Sequence, residues 1–222
     1  IKEKKRKKEY KMKFSIKKEI LLEALNKVSK AISTKNVIPV LAGIKFHLTK
    51  KKLTLTASDN DITIETSIPC DNENIILKEE GSIIIQGKYI LDIVRKLPDP
   101  FINIEVVDDL KILIYTENSE FNLNGISEKE YPSIELVESK NHIELSKTLL
   151  KEIVNQTAFA TSIDENKAIL NGINFNIIGN ILECNATDSY RLARKVIPLS
   201  TSSEENMNIV IPSRNLVDKN IR

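Results

Sequence analysis

The chain has no tryptophan, and its 222 residues include only two cysteines, two histidines and six glycines. Each scarcity removes a class of function. Cys70 and Cys184 lie far apart and neither belongs to a CxxC pair, so a disulfide framework and a cysteine-rich zinc site are both excluded. Reduced structural thiols in a cytosolic protein are the expectation. His47 and His142 offer no ligand cluster, and six glycines leave no phosphate-cradling loop. No Ser-His-Asp set is apparent. No apolar run approaches the roughly 20 residues that a membrane span needs. The remaining composition, 41% hydrophobic and 29% charged, is that of an ordinary globular protein.

The net charge of +2 is unevenly spread. Residues 1–11 hold seven Lys/Arg and two Glu. Removing these from the totals of 33 basic and 31 acidic residues leaves 26 against 29, a mildly acidic body of net −3. The basic segment precedes Met12 and has no apolar core, so it reads as a disordered extension and not as a secretory signal. A nucleic-acid-binding arm is the alternative.

What the chain does have is an internal repeat. Phe14-Ser-Ile-Lys-Lys-Glu-Ile-Leu-Leu-Glu-Ala-Leu-Asn26 lies over Ile143-Glu-Leu-Ser-Lys-Thr-Leu-Leu-Lys-Glu-Ile-Val-Asn155. Leu41-Ala-Gly-Ile-Lys-Phe-His-Leu48 lies over Leu170-Asn-Gly-Ile-Asn-Phe-Asn-Ile177. Gly43 and Gly172, Asp59 and Asp188, and Pro69 and Pro198 are all separated by 129 residues. A period that long implies a duplicated domain, not a solenoid.

Within the first copy, periodicity predicts a short strand over 13–16 and a helix over 17–31 with Leu21, Leu25, Val28 and Ile32 inward. Alternating strands follow over 43–48, 53–57 and 62–68. The pattern restarts with a strand at 82–85, a helix over 88–97, and strands at 102–107, 111–115 and 120–124. Each domain is thus β-α-β-β-β taken twice, an α+β fold with helices on one face of curved antiparallel sheets. After a polar linker over 128–140, a strand at 142–145 and a helix from Ser146, its N-cap, reopen the unit. In the last matching strand Ile85 and Ile211 are 126 apart, a three-residue deletion. The expected organisation is a basic extension over 1–11, a domain over 12–137, and a second, incomplete copy over 138–222.

Basic residues punctuate the outer helix faces: Lys17, Lys18, Lys27 and Lys30, then Lys88, Arg95 and Lys96, then Lys147 and Lys151, then Arg214 and Lys219. In an acidic body this recurrence suggests a cationic surface. Carboxylate pairs that could be read as a metal site, Asp59-Asn60-Asp61 and Asp108-Asp109, sit in turns between strands, where Asp and Asn serve local backbone bonding. An enzyme is therefore the competing reading and not the preferred one.

Met12-Lys-Phe-Ser-Ile16, Ile38-Pro-Val-Leu-Ala-Gly43, Leu170-Asn-Gly-Ile-Asn-Phe175 and Ala186-Thr-Asp-Ser-Tyr-Arg-Leu-Ala193 occur in this order. Together they resemble the bacterial sliding clamp family, the β subunit of DNA polymerase III. The resemblance implies a non-catalytic processivity factor without cofactor or metal, cytoplasmic and nucleoid-associated. Its full-length members have three such domains and close head to tail as a homodimer ring around duplex DNA. On this reading the third domain is absent here, and the ring would not close in the family's manner. A truncated clamp-like protein that binds partners without encircling DNA is the alternative. The resemblance assigns sequence-independent DNA contact to Lys35, Lys88, Arg95, Lys167 and Arg214, in keeping with phosphate binding by counterion release. It also assigns a pocket for short peptides of the replicative polymerase, the clamp loader and repair proteins to Leu170, Gly172, Thr187, Ser189, Tyr190, Arg191 and Leu192.

Overall fold

The computed structural model describes residues 11–32, 38–59, 62–107, 110–133, 144–164, 166–199 and 206–217. Lys35, Asn60, Asp61, Asp108, Asp109, His142 and Lys219 lie outside the described residues, as do 1–10 and 134–140. The chain forms two compact units, Ile1–Glu135 and Leu136–Arg222.

Unit 1 begins with β1 (Met12–Lys17), which runs without a loop into α1 (Lys18–Val28) and a 3-10 turn at Ser29–Ala31. Then come β2 (Gly43–Leu48), β3 (Lys52–Ser58), β4 (Thr63–Pro69), β5 (Ile75–Glu79) and β6 (Gly81–Gln86). Helix α2 (Gly87–Lys96) follows directly, and β7 (Phe101–Val106), β8 (Lys111–Tyr115) and β9 (Glu120–Asn124) complete the second motif. The two sheets have the orders β5-β1-β7-β8-β9 and β4-β3-β2-β6, with every pairing antiparallel.

Those orders show that the two motifs exchange their first strands. β1 pairs with β7 of the second motif, while β6 pairs with β2 of the first. Each helix follows its first strand without a loop, and the strand after it lies in the other sheet. A helix of about ten residues spans about 15 Å, so it carries the chain from one sheet to the other before the next strand begins.

β5 was not among the predicted strands. Ile75-Ile76-Leu77 is too short an apolar run to declare a period, and only pairing with β1, across an irregularity between Lys13 and Phe14, makes it a strand. The core between the sheets and helices holds Leu21, Leu25 and Val28 of α1, Ile90 and Val94 of α2, and inward strand residues such as Phe14, Phe46, Leu55, Ile83 and Ile104. Alternation had marked most of these positions.

Unit 2 holds α3 (Lys147–Thr157), β10 (Gly172–Ile178), β11 (Ile181–Thr187), β12 (Leu192–Pro198), β13 (Met207–Pro212) and the short α4 (Ser213–Leu216). Its sheet order, β12-β11-β10-β13, reproduces β4-β3-β2-β6. The ladders reproduce it residue by residue: Ile44 opposes Ile85, and Ile173 opposes Ile211. The 129-residue offset on one strand and 126 on the other are thus both real. Ser146 caps α3, its hydroxyl accepting the Leu149 N–H at 3.2 Å. Glu144 and Leu145, placed in a strand by the repeat, lie in irregular backbone. Gly179, at φ 60°, makes the two-residue turn between β10 and β11.

Gly43 and Gly172 match for a packing reason. A Cβ on Gly43 would lie 2.4 Å from Ile84 Cγ2, and one on Gly172 would lie 2.5 Å from Val210 Cγ1. In both units the side chain of the neighbouring strand crosses over the glycine.

Candidate partner-docking site and basic surface

Antiparallel pairing of β10 with β11 brings the start of β10 and the end of β11 to one end of the unit 2 sheet. Leu170 closes a 3-10 turn (Ala168–Asn171) just before β10, and Thr187 opposes Leu192 across the β11–β12 turn. Two further segments meet them there. The Ser162 N–H donates to the Leu170 carbonyl at 2.8 Å. Ser213 at the start of α4 donates to the Asn171 carbonyl at 2.9 Å and accepts from Thr161 Oγ1 at 3.0 Å.

The β11–β12 turn is organised by Asp188. Its Oδ1 accepts the N–H groups of Tyr190 at 2.9 Å and Arg191 at 3.0 Å, and its Oδ2 accepts Arg191 Nε at 3.0 Å. The Tyr190 N–H, with the Arg191 N–H and guanidinium, holds the Asp188 carboxyl below its ordinary range against partial desolvation. Thr187 Oγ1 donates to the Arg191 carbonyl at 2.7 Å and accepts the Ser189 N–H at 3.1 Å. Those bonds hold Ser189 at φ 80°, a conformation that side chains other than glycine rarely take.

The turn therefore presents its apolar side chains outward. Tyr190 is 96% exposed and Leu192 66%, and Ile169 and Ile163 are exposed on the flanking loops. Leu170 and Thr187 are half-buried. Gly172 is buried beneath Val210, so it contributes close strand packing and no open surface. Sequence reasoning missed Phe159, which is 59% exposed and whose ring centroid lies 5.6 Å from the Arg191 guanidinium carbon. Ala158-Phe159-Ala160 ends a helix whose apolar residues otherwise face inward, so nothing in the pattern separated it from core.

The basic residues fall in two places. Lys88 and Arg95 are exposed on α2, and Arg95 Nη2 donates to Asn26 Oδ1 of α1 at 3.0 Å. Lys167 and Arg214 are exposed in unit 2, on the turn before Leu170 and on α4, beside the apolar site. The wider cationic pattern on α1 is modified by pairing. Lys27 Nζ lies 2.7 Å from Glu23, Lys17 lies 3.2 Å from Glu73, and the Lys18 ammonium is bonded to the Leu97 carbonyl. Among the described residues, no group of three or more His, Cys, Asp or Glu is placed to hold a metal ion, and no helix is long and apolar enough to cross a membrane.

Residues 12–135 match the family model described as DNA polymerase III beta subunit, N-terminal domain, and residues 144–220 match the central domain of the same subunit. The chain belongs to the DNA polymerase III beta subunit family. A beta sliding clamp from Halalkalibacterium halodurans is 42% identical over 210 residues, covering 92% of this chain and 55% of the relative. The Bacillus subtilis clamp is 38% identical and covers 93% of this chain and 56% of its own length. Among solved structures, the DNA polymerase sliding clamp from Bacillus subtilis superposes with a TM-score of 0.88 at 38% identity, over 92% of this chain and 55% of that one. The DNA polymerase III beta chain of Streptococcus pneumoniae gives 0.88 at 36% identity with the same coverage. The chain thus spans about half the length of the beta sliding clamps it matches. Its duplicated α+β units are those of the N-terminal and central clamp domains.

Proposed function

We propose that this chain acts as a clamp-family docking module. It binds short apolar peptide segments of replication and repair proteins at the end of the unit 2 sheet and acts as a non-catalytic factor. The observation that carries this reading is the gathering of Leu170, Thr187 and Tyr190–Leu192 at one sheet end, with Tyr190 and Leu192 held outward by a turn that Asp188 bonds from within. Exposed large apolar side chains on a hydrogen-bonded turn supply anchor contacts, and the surrounding hydroxyls and backbone supply register. The docking surface proposed here uses Leu170, Thr187, Ser189, Tyr190, Arg191 and Leu192 of the residues that the resemblance assigned, with Phe159 added, while buried Gly172 serves strand packing.

The test is binding of a labelled apolar peptide, followed by fluorescence anisotropy, to the intact chain and to Leu192→Asp and Tyr190→Ala. A loss of about tenfold or more is expected for Leu192→Asp, the scale of one interface anchor. Unchanged binding in both variants would sink the reading.

A second activity is sequence-independent contact with duplex DNA, favoured by the exposed cations Lys88, Arg95, Lys167 and Arg214. Lys35 belongs to the same proposal although it lies outside the described residues. Alanine at Lys88 and Arg95 should flatten the salt dependence of duplex binding equally across DNA sequences. The proposed setting is the bacterial cytoplasm, with the polymerase and clamp loader as partners. Docking without encirclement is the form of the activity proposed for this span, and a head-to-tail ring is proposed only of full-length members. The domain division kept for this reading is 12–137 and 138–222, while the compact units part between Glu135 and Leu136.

A further inference from the structure

Unit 1 shows what covers the last strand of its four-stranded sheet. Gly125 packs against Ile83 and Ile112, where an added Cβ would lie 2.8 Å from the side chains of both. Next, Ile126 exchanges backbone bonds with Ile84, its N–H donating at 2.9 Å and its carbonyl accepting at 3.0 Å. A 3-10 turn over Glu128–Glu130, capped by the Ser127 hydroxyl, then brings Tyr131 onto the cluster of Val40, Leu41 and Ile84. The covering segment is thus Gly-Ile, four residues, then Tyr.

Unit 2 has the same place and leaves it open among the described residues. Val210 stands 126 positions after Ile84 and opposes Asn174 as Ile84 opposes Lys45. In that register its N–H and carbonyl point away from β10, and β13 is an edge of its sheet. Ile169 stands 129 positions after Val40 in a matching 3-10 turn, yet Val40 is buried and Ile169 is 73% exposed. Ile209, the counterpart of buried Ile83, is exposed as well. The places for the isoleucine, its backbone bridge and the tyrosine are all present and unfilled. Lys167, exposed just before that turn where unit 1 has Ile38, supplies a cation suited to an acidic turn of the Glu128–Glu130 kind. An open edge with exposed apolar side chains invites an added strand.

We propose that the β13 edge of unit 2 is a strand-addition site for a partner polypeptide carrying a Gly-Ile-x4-Tyr segment with acidic residues between its two anchors. The isoleucine backbone bridges Val210, and the tyrosine covers Ile169. β12 and β13 are opposite edges of the sheet, so this surface is separate from the β11–β12 turn and stands without the docking reading.

The probe is labelled acetyl-Asn-Gly-Ile-Ser-Glu-Lys-Glu-Tyr-Pro-amide, the sequence of residues 124–132, titrated against the intact chain by fluorescence anisotropy. Saturable binding is expected, with slowed amide hydrogen exchange at Val210. Aspartate in place of the peptide's isoleucine should weaken binding about tenfold or more, the scale of one interface anchor. Ile169→Asp, at an exposed position that folding does not depend on, should have a similar effect. Val210→Pro removes the outward N–H at an edge position and should weaken binding about fivefold. The apolar peptide of the docking test should not compete. Absence of binding, binding indifferent to both aspartate changes, or displacement by that apolar peptide overturns the proposal. So does a dimer of the chain alone that protects the same amides, since a second copy would then be the occupant.

Discussion

β6 and β13 occupy the same place in two copies of one sheet, yet they live in different surroundings. Each pairs with the strand that opens on the matched glycine, and each sends a branched side chain over that glycine. In unit 1, Ile83, Ile84 and Ile85 are all 0% exposed. In unit 2, Ile209 is 41% and Val210 38% exposed. The difference lies outside the strands. In unit 1, Ile126 exchanges backbone bonds with Ile84 at 2.9 and 3.0 Å, and Ile84 packs with Val40, Leu41 and Tyr131. No such cover lies over β13 among the described residues. A strand's pairing is therefore written in its own residues, whereas its burial depends on what is laid over it.

Cutting matched residues should expose that contrast most strongly. Ile84→Ala should destabilise unit 1 by about 2–5 kcal/mol, because it opens a cavity in a closed cluster. Val210→Ala should cost under about 1 kcal/mol, since the site is already open to water. Chemical denaturation followed with a probe in each unit would measure both, and equal losses would break the comparison.

Filling the matched glycines is the next test. Gly43→Ala and Gly172→Ala should each cost about 1–3 kcal/mol through overpacking. Ile84 is walled in and cannot yield, whereas Val210 can. In unit 2 the resistance comes instead from the Ile211 carbonyl, 2.7 Å from the added carbon. Shrinking the crossing residue should therefore rescue Gly43→Ala better than Gly172→Ala, as read by thermal unfolding.

The helix starts differ more modestly. Lys17 and Ser146 are equivalent, but only Ser146 gives a side-chain cap. Ser146→Ala should lower stability by about 1 kcal/mol. Lys17→Ala should lose only an exposed ion pair with Glu73 and change stability little.

The two thiols sharpen the contrast without altering stability. Cys184 is fully buried, and burial pushes its thiol up to about 12, while half-buried Cys70 is raised less. Maleimide should label native Cys70 first and reach Cys184 only on unfolding, as mass spectrometry of the labelled chain would show. The smallest effect is acid sensitivity on β11. The Arg194 guanidinium, helped by the Asn185 amide, holds Glu183 down to about 2. A lowered folded value means that the contribution is present above the ordinary carboxylate range and is lost as pH falls toward about 2. Glu183→Gln should remove that part of the acid dependence of unit 2 melting.

Much of the fold was legible because alternation and helical spacing are local. The strands at 43–48, 111–115 and 120–124 and the cap at Ser146 follow from residues a few positions apart. β5 and the exchange of first strands were not legible, since both depend on partners tens of residues away. At the candidate site, the repeat and the motif at 186–193 pointed to the turn. The role of Phe159 was hidden, because an aromatic after a helix carries no mark of which way it faces.

The sequence by itself determined that one architecture occurs twice, that its turns fall at matched places, and that its helices are amphipathic. Periodicity and repetition are properties of order along the chain, and they need no partner to be read. Only the tertiary structure decided which strand pairs with which, why Gly43 and Gly172 admit no side chain, and that Arg191 is fixed between Asp188 and Phe159. Those are facts of proximity between distant residues, and packing, not spacing, creates them.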